Sequence, residues 1–130
     1  MVRKVVLVGH CGADTSYLRI AVSGAATDIS VLSVDDESEL KKEITGGASL
    51  LLINRQLDYG FSTYEGIELI SKLRADHPNL KTMLISNYPE AQAAAIAAGA
   101  LPGFGKRQIG TPQVKEMIRA ALGEPVSGAK

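Results

Sequence analysis

The side chains able to do chemistry stand where apolar runs end. Gly9, His10 and Cys11 follow the first such run, Asn54 the third, Ser86 the fourth and Lys106 the fifth. His10 and Cys11 put an imidazole beside a thiol, soft ligands suited to zinc or copper. Two ligands do not make a tetrahedral site, and the other histidine, His77, belongs near the opposite end of a sheet built from these runs. Cys11 also has the setting of a nucleophile: a strand-to-helix loop supplies backbone N–H groups and a positive dipole end that lower a thiol pKa. Gly9-His10-Cys11-Gly12 lacks the dinucleotide fingerprint, so a tight turn explains its glycines better. Asp35-Asp36, closing the second run, reads either as a solvated turn with helix-capping acids or as acids facing the same rim. Ser86 can cap the helix after it, and Lys106 can point outward with Arg107 as a basic pair.

The positions of these residues depend on the elements that carry them. Lys4–Val8 reads as a strand closed by Gly9, and Asp14 as the N-cap of a helix with Tyr17, Leu18, Ala21 and Val22 inward, ended by Gly24. Ile29–Val34 alternates as a second strand. Asp36 or Ser38 caps a helix burying Leu40 and Ile44 and stopped by Gly46-Gly47. Ser49–Ile53, the most apolar run, reads as a central strand buried on both faces. A loop from Arg55 to Tyr64 leads to a helix over Glu65–Ala75, with Ile67, Leu69, Ile70 and Leu73 apolar. His77-Pro78-Asn79 marks a turn, Thr82–Ser86 a strand, and Pro89 the first turn of an Ala-rich helix over Glu90–Ala98. Leu101–Gly105 is a weak strand, placed at an edge by its proline and glycine. Thr111-Pro112 opens a last helix carrying Val114, Ile118 and Leu122.

Strands alternating with helices, joined by right-handed crossovers, predict an α/β fold: a doubly wound five-stranded parallel sheet, flavodoxin-like, in the order 2-1-3-4-5. One domain is expected over residues 1–123, with residues 124–130 a flexible C-terminal tail. In such sheets ligands bind beyond the carboxyl ends of the strands, where the residues named above gather.

Composition narrows the function classes. Fourteen Lys+Arg balance fourteen Asp+Glu, leaving no electrostatic footprint for nucleic acid or an anionic membrane. No apolar run approaches the roughly 20 residues that span a bilayer. The single cysteine excludes an internal disulfide and suits a reducing compartment. No signal peptide precedes the first strand, so the expected location is cytoplasmic.

The stretch Leu50–Asn54, a loop, and Glu65–Ile70 resembles the third strand, acceptor position and following helix of response regulator receiver domains. Met83–Ser86, Ala98-Gly99-Ala100 and Lys106 fall where that family has its hydroxyl residue, its Ala-Gly-Ala segment and its lysine. The likeness runs from Lys4 to Leu122. An active receiver carries a phosphoryl group on an aspartate at the end of strand three, assisted by magnesium held by acids after strand one. Carried over, the acceptor is Asn54, an amide that cannot form an acyl phosphate. The acid pair falls on Gly9 and His10, or on His10 and Cys11, and neither pair offers the carboxylates that a hard dication needs.

The resemblance therefore implies a degenerate phosphoacceptor pocket of Asn54, Gly9, His10, Cys11, Ser86 and Lys106. It predicts a chemotaxis-type pseudo-receiver without catalytic residues, metal or cofactor, acting on a protein partner. Ser86 and Lys106 could still bridge to Asn54 and hold the pocket in one fixed arrangement. The family's aromatic switch residue falls on Gly103, with Phe104 facing the other way, and Arg107 replaces the proline after the lysine. Asp58, in the longer loop, is a further acid that could swing toward the pocket. The alternatives are a Cys11-dependent phosphocarrier or enzyme of the same fold, since Cys11–Ser16 faintly resembles the phosphocysteine loop of phosphotransferase-system B subunits, and a metal or redox sensor built on His10 and Cys11.

Overall fold

A computed structural model of the chain describes residues 3–57, 60–61 and 63–123; Asp58 and the tail expected over 124–130 lie outside the described residues. The strands are β1 (Arg3–Val8), β2 (Ile29–Val34), β3 (Leu50–Asn54), β4 (Thr82–Ile85) and β5 (Leu101–Phe104). The helices are α1 (Gly12–Ser23), α2 (Glu37–Thr45), α3 (Gly66–Asp76), α4 (Pro89–Ala97) and α5 (Pro112–Ala121). A single 3₁₀ turn at Lys106–Gln108 separates β5 from α5. The sheet order is β2-β1-β3-β4-β5 with every pairing parallel, the flavodoxin-like order that the alternating pattern predicts.

Side-chain alternation divides the core into two layers. Val5, Leu7, Leu50, Leu52, Met83 and Ile85 face α1 and α5, where Leu18, Val22, Val114 and Ile118 meet them. Val6, Val8, Leu51, Ile53 and Leu84 face the opposite way, onto Leu40, Leu69, Ile70, Leu73 and the alanines of α4. Four residues of β3, Leu50 to Ile53, are fully buried. Each such leucine contributes about 1.5–3 kcal/mol of burial, which makes this strand the mechanical centre of the domain.

Two expectations about α1 are corrected. The N-cap is Cys11, not Asp14: Cys11 is extended, its carbonyl accepts from Thr15 N, and Asp14 lies within the first turn. Tyr17, expected inward, is 64% exposed. At about 100° per residue, the meridian through Leu18, Ala21, Val22 and Ala25 faces the sheet, and position 17 falls a quarter-turn away from it. Asp14 does lie near that meridian, one turn before Leu18. The other caps agree with expectation. Asp36 accepts from Glu39 N at the start of α2, and Thr111 from Val114 N at the start of α5.

The edge strand is irregular. Met83 pairs with Leu101 and Ile85 with Phe104, so two residues of β5 oppose one of β4. Pro102 and Gly103 together stand opposite Leu84. A Cβ on Gly103 would stand 2.1 Å from the Leu84 carbonyl oxygen, so only glycine fits there. Gln92, from α4, spans the gap: its amide nitrogen donates to Leu84 O (2.9 Å) and Ser86 O (3.1 Å), and its oxygen accepts from Gly103 N (3.1 Å). Phe104 is buried in the layer under α1 and α5.

Candidate functional site

The carboxyl ends of β1, β3 and β4, with the segment after β5, enclose two adjoining depressions. One, of about 140 Å³, is lined by Asn54, Arg55, Ser86, Asn87, Tyr88 and Lys106, among others. The second, of about 320 Å³, is lined by Gly9, His10, Cys11, Asp35 and Asn54, under Leu57 and Phe61. Asn54 belongs to both. The six residues singled out from sequence thus converge at one end of the sheet, as the topology requires, but their bonds differ from expectation.

Asn54, Ser86 and Lys106 are not bridged to one another. Asn54 Nδ2 donates to Gly9 O (3.1 Å) and to Gln56 O (2.9 Å), tying the end of β3 to the end of β1 and to its own loop. Gly9 has a φ of 74°, the left-handed turn that glycine adopts at no steric cost. Ser86 Oγ accepts from Tyr88 N (3.2 Å), but the N-cap of α4 is Tyr88, without a side-chain cap, so Ser86 bonds just ahead of the helix and does not cap it. Lys106 neither joins Asn54 nor pairs outward with Arg107. Its ammonium meets Asp14 Oδ2 at 2.7 Å.

Asp14 is the functional-end residue that sequence reasoning missed. The salt bridge to Lys106 is the leading cause that holds its carboxyl below the usual aspartate value, partly offset by burial and helped by a hydrogen bond from the Cys11 thiol. One signal was available: Asp14, Leu18 and Val22 follow at i, i+4 and i+8, so the acid shares the sheet-facing meridian and must emerge at the sheet's carboxyl edge. Cys11 itself is exposed and reduced. Its thiol is hydrogen-bonded to the Asp14 carboxylate, which is itself paired with Lys106.

His10 is only 8% exposed. Its Nε2 lies 2.9 Å from Leu52 O, and since a carbonyl only accepts, Nε2 carries the proton. Nδ1 is then a bare acceptor, buried and without a partner among the described residues. Burial, the largest effect, pushes the imidazole below its ordinary value. The Leu52 carbonyl opposes this, Lys106 adds to it, and Asp14 and Asp35 oppose it more weakly. His10 is therefore neutral at pH 7. Asp35 lines the larger depression, whereas Asp36 is spent on the α2 cap. Among the described residues, no three His, Cys, Asp or Glu side chains come together as a metal-ligand cluster.

Local chemistry also explains Arg107 after the lysine. Its backbone N–H donates to Asn87 Oδ1 (3.2 Å), a bond that proline could not make. Gly105 is required beside it, because a Cβ there would stand 1.9 Å from the same Asn87 oxygen. Arg55 stacks its guanidinium on the Tyr88 ring, 4.9 Å from the centroid, at the lip of the smaller depression.

No family model matches the sequence, and no curated protein is similar to it. Solved structures do match. The RcsB response regulator of Salmonella typhimurium superposes with a TM-score of 0.71 at 16% identity, over 97% of this chain and 63% of that one. The beryllofluoride-activated NtrC4 receiver domain gives 0.75 at 15% identity, over 92% and 96%. The receiver domain of NtrX from Brucella abortus gives 0.64 at 21% identity, over 93% and 99%. The chain thus spans under two thirds of the RcsB chain and nearly all of the isolated receiver domains. It has the response regulator receiver fold, and what it does with that fold must be argued from its own site.

Proposed function

We propose that this chain is a receiver-type module of two-component signalling whose output does not pass through an aspartyl phosphate. The observation that carries the proposal is Asn54. It ends β3, where active receivers place the acceptor carboxylate, and its amide nitrogen is committed to Gly9 O and Gln56 O. An amide offers no anionic oxygen to attack phosphorus. The loop after β1 supports the same reading, since Gly9, His10 and Cys11 provide no carboxylate for a hard dication and His10 is neutral and hydrogen-bonded to the sheet.

The module acts, on this reading, as a non-enzymatic binding partner of another protein in the cytoplasm; among the described residues no helix is long and apolar enough to cross a membrane. The face offered is that of α4, β5 and α5. Ile96 is 46% exposed on α4, and a shallow apolar groove of about 240 Å³ runs between Leu101 and Pro102 of β5 and Met117 and Ala120 of α5. Exposed apolar surface of this kind, rimmed by polar residues, suits protein contact. A phosphocarrier role for Cys11 is the weaker reading: the thiol is exposed at a helix N-terminus, but Asp14 beside it would repel a phosphate.

Incubation with a small-molecule phosphodonor and magnesium, read by intact mass, tests the proposal. The mass is expected to stay unchanged; an alkali-labile, hydroxylamine-labile adduct on an aspartate would overturn it.

A further inference from the structure

We propose that the outer edge of β2 is a pairing surface for a second copy of this chain, held shut by the guanidinium of Arg19. β2 is the edge of the sheet opposite β5. Arg3 N donates to Asp28 O and Gly9 N to Val34 O, so every second residue from 28 to 34 turns its backbone groups toward β1. Ile29, Val31 and Ser33 therefore point both N–H and C=O outward. Such a row templates strand addition, and proteins blunt it with charge, proline or a bulge. β5, at the other edge, carries Pro102 and a register shift. Ile29-Ser30-Val31-Leu32-Ser33-Val34 has no charge, no proline and no glycine. Its protection comes from outside the strand. Arg19, on α1, reaches over the edge, and its Nη1 donates to Val31 O, the middle one of the outward carbonyls.

The edge matches its own copy. Antiparallel pairing about a two-fold axis at Val31 sets Val31 against Val31 and Ile29 against Ser33, so each outward N–H meets an outward C=O. Asp28 and Asp35, which flank the strand, fall opposite Val34 and Thr27, and no carboxylate directly faces another. The chain's net charge of zero adds no overall repulsion. The side chains stay in the layers that they already occupy, Ile29 and Val31 with α1 and α5. Pairing must first release Val31 O from Arg19 in both copies, and that makes Arg19 the latch.

This inference goes beyond the signalling role and uses none of the residues around Asn54, so a failure here leaves the mass test untouched. The experiment is sedimentation equilibrium of the full chain over a range of concentrations, with amide hydrogen exchange read by NMR on the same samples. The native chain is expected to leave this edge unpaired, with fast exchange at Val31 and Ser33 although both lie within a strand. Arg19→Met keeps the apolar stem and removes the donor. It is expected to strengthen self-association about a hundredfold, tenfold for each of the two charge-assisted bonds that pairing no longer has to break. Exchange at Val31 and Ser33 is expected to slow as the dimer forms. Ser33 is exposed and its N–H points out of the sheet, so proline there blocks an incoming strand without cutting the ladder to β1. Adding Ser33→Pro is expected to return the Arg19→Met chain to native behaviour. Slow exchange at these amides in the native chain would overturn the proposal. So would an Arg19→Met chain that associates no more strongly than the native one, or added association that survives Ser33→Pro.

Discussion

Asn54→Asp restores the residue type that an active receiver has at the end of its third strand, yet this chain is expected to lose stability and gain no phosphorylation. In the native protein Nδ2 donates to two carbonyl oxygens, Gly9 O at 3.1 Å and Gln56 O at 2.9 Å. The substitution sets an anionic oxygen against both. Losing the part-buried bond costs about 1 kcal/mol and the exposed one about half that. Repulsion between the carboxylate and the two carbonyl dipoles adds on the order of 1 kcal/mol at the effective dielectric of a half-buried site. The total is about 2–3 kcal/mol, or about 10 °C in melting temperature for a domain of this size. Asn54→Ala, which loses the bonds without gaining the charge, is expected to cost about 1.5 kcal/mol.

Urea unfolding separates the two contributions by pH. The introduced carboxyl faces acceptors, so its folded-state pKa is raised above the unfolded value near 3.9. The repulsive part of the deficit is then full at pH 7 and shrinks as pH falls through the raised value, because the protonated acid again offers a donor. The alanine variant has no such component. If Asn54→Asp matches the native protein within about 0.5 kcal/mol at pH 7, or takes label from a phosphodonor, the account of Asn54 as a tie between β1 and β3 is wrong.

Two further outcomes follow from the site and its frame. His10 is neutral and buried in the folded chain, so the unfolded state binds its proton first; stability is expected to decline as pH falls from 7.5 through about 6.5 to 5.5, and His10→Phe to flatten that slope in urea midpoints while lowering stability overall. Gly103→Val is expected to cost about 2–3 kcal/mol in the same assay, because its Cβ would meet the Leu84 carbonyl at 2.1 Å, while Gly12→Ala, with open space around it, serves as the near-neutral control.

The frame was legible because burial on two faces leaves an unmistakable pattern. The continuous apolar run ending at Ile53 has to be central, and Pro102-Gly103 has to be at an edge. The site was legible by position and not by bonding. Topology brings Asn54, Ser86, Lys106 and the loop after β1 to one rim, and nothing more is needed to predict that. Which partner each side chain takes depends on distances of a few tenths of an ångström and on residues recruited from elsewhere. Asp14 looked like a cap because acids before helices usually are caps; the helix begins three residues earlier than such a cap implies and turns the acid inward, where Lys106 finds it. Tyr17 failed for the related reason that an aromatic at the margin of an apolar stripe can lie on either side of it. The bond that ties His10 to the sheet is to a backbone carbonyl, and such a partner leaves no trace in a sequence.

Gln92 makes the fifth strand answer to the fourth helix. The strand carries a proline and a glycine and shifts register against β4, and a side chain from α4 adds hydrogen bonds on both sides of the seam. Helix and strand are in effect leashed together. A shift of α4 against the sheet must therefore break these bonds or carry the β5 backbone with it.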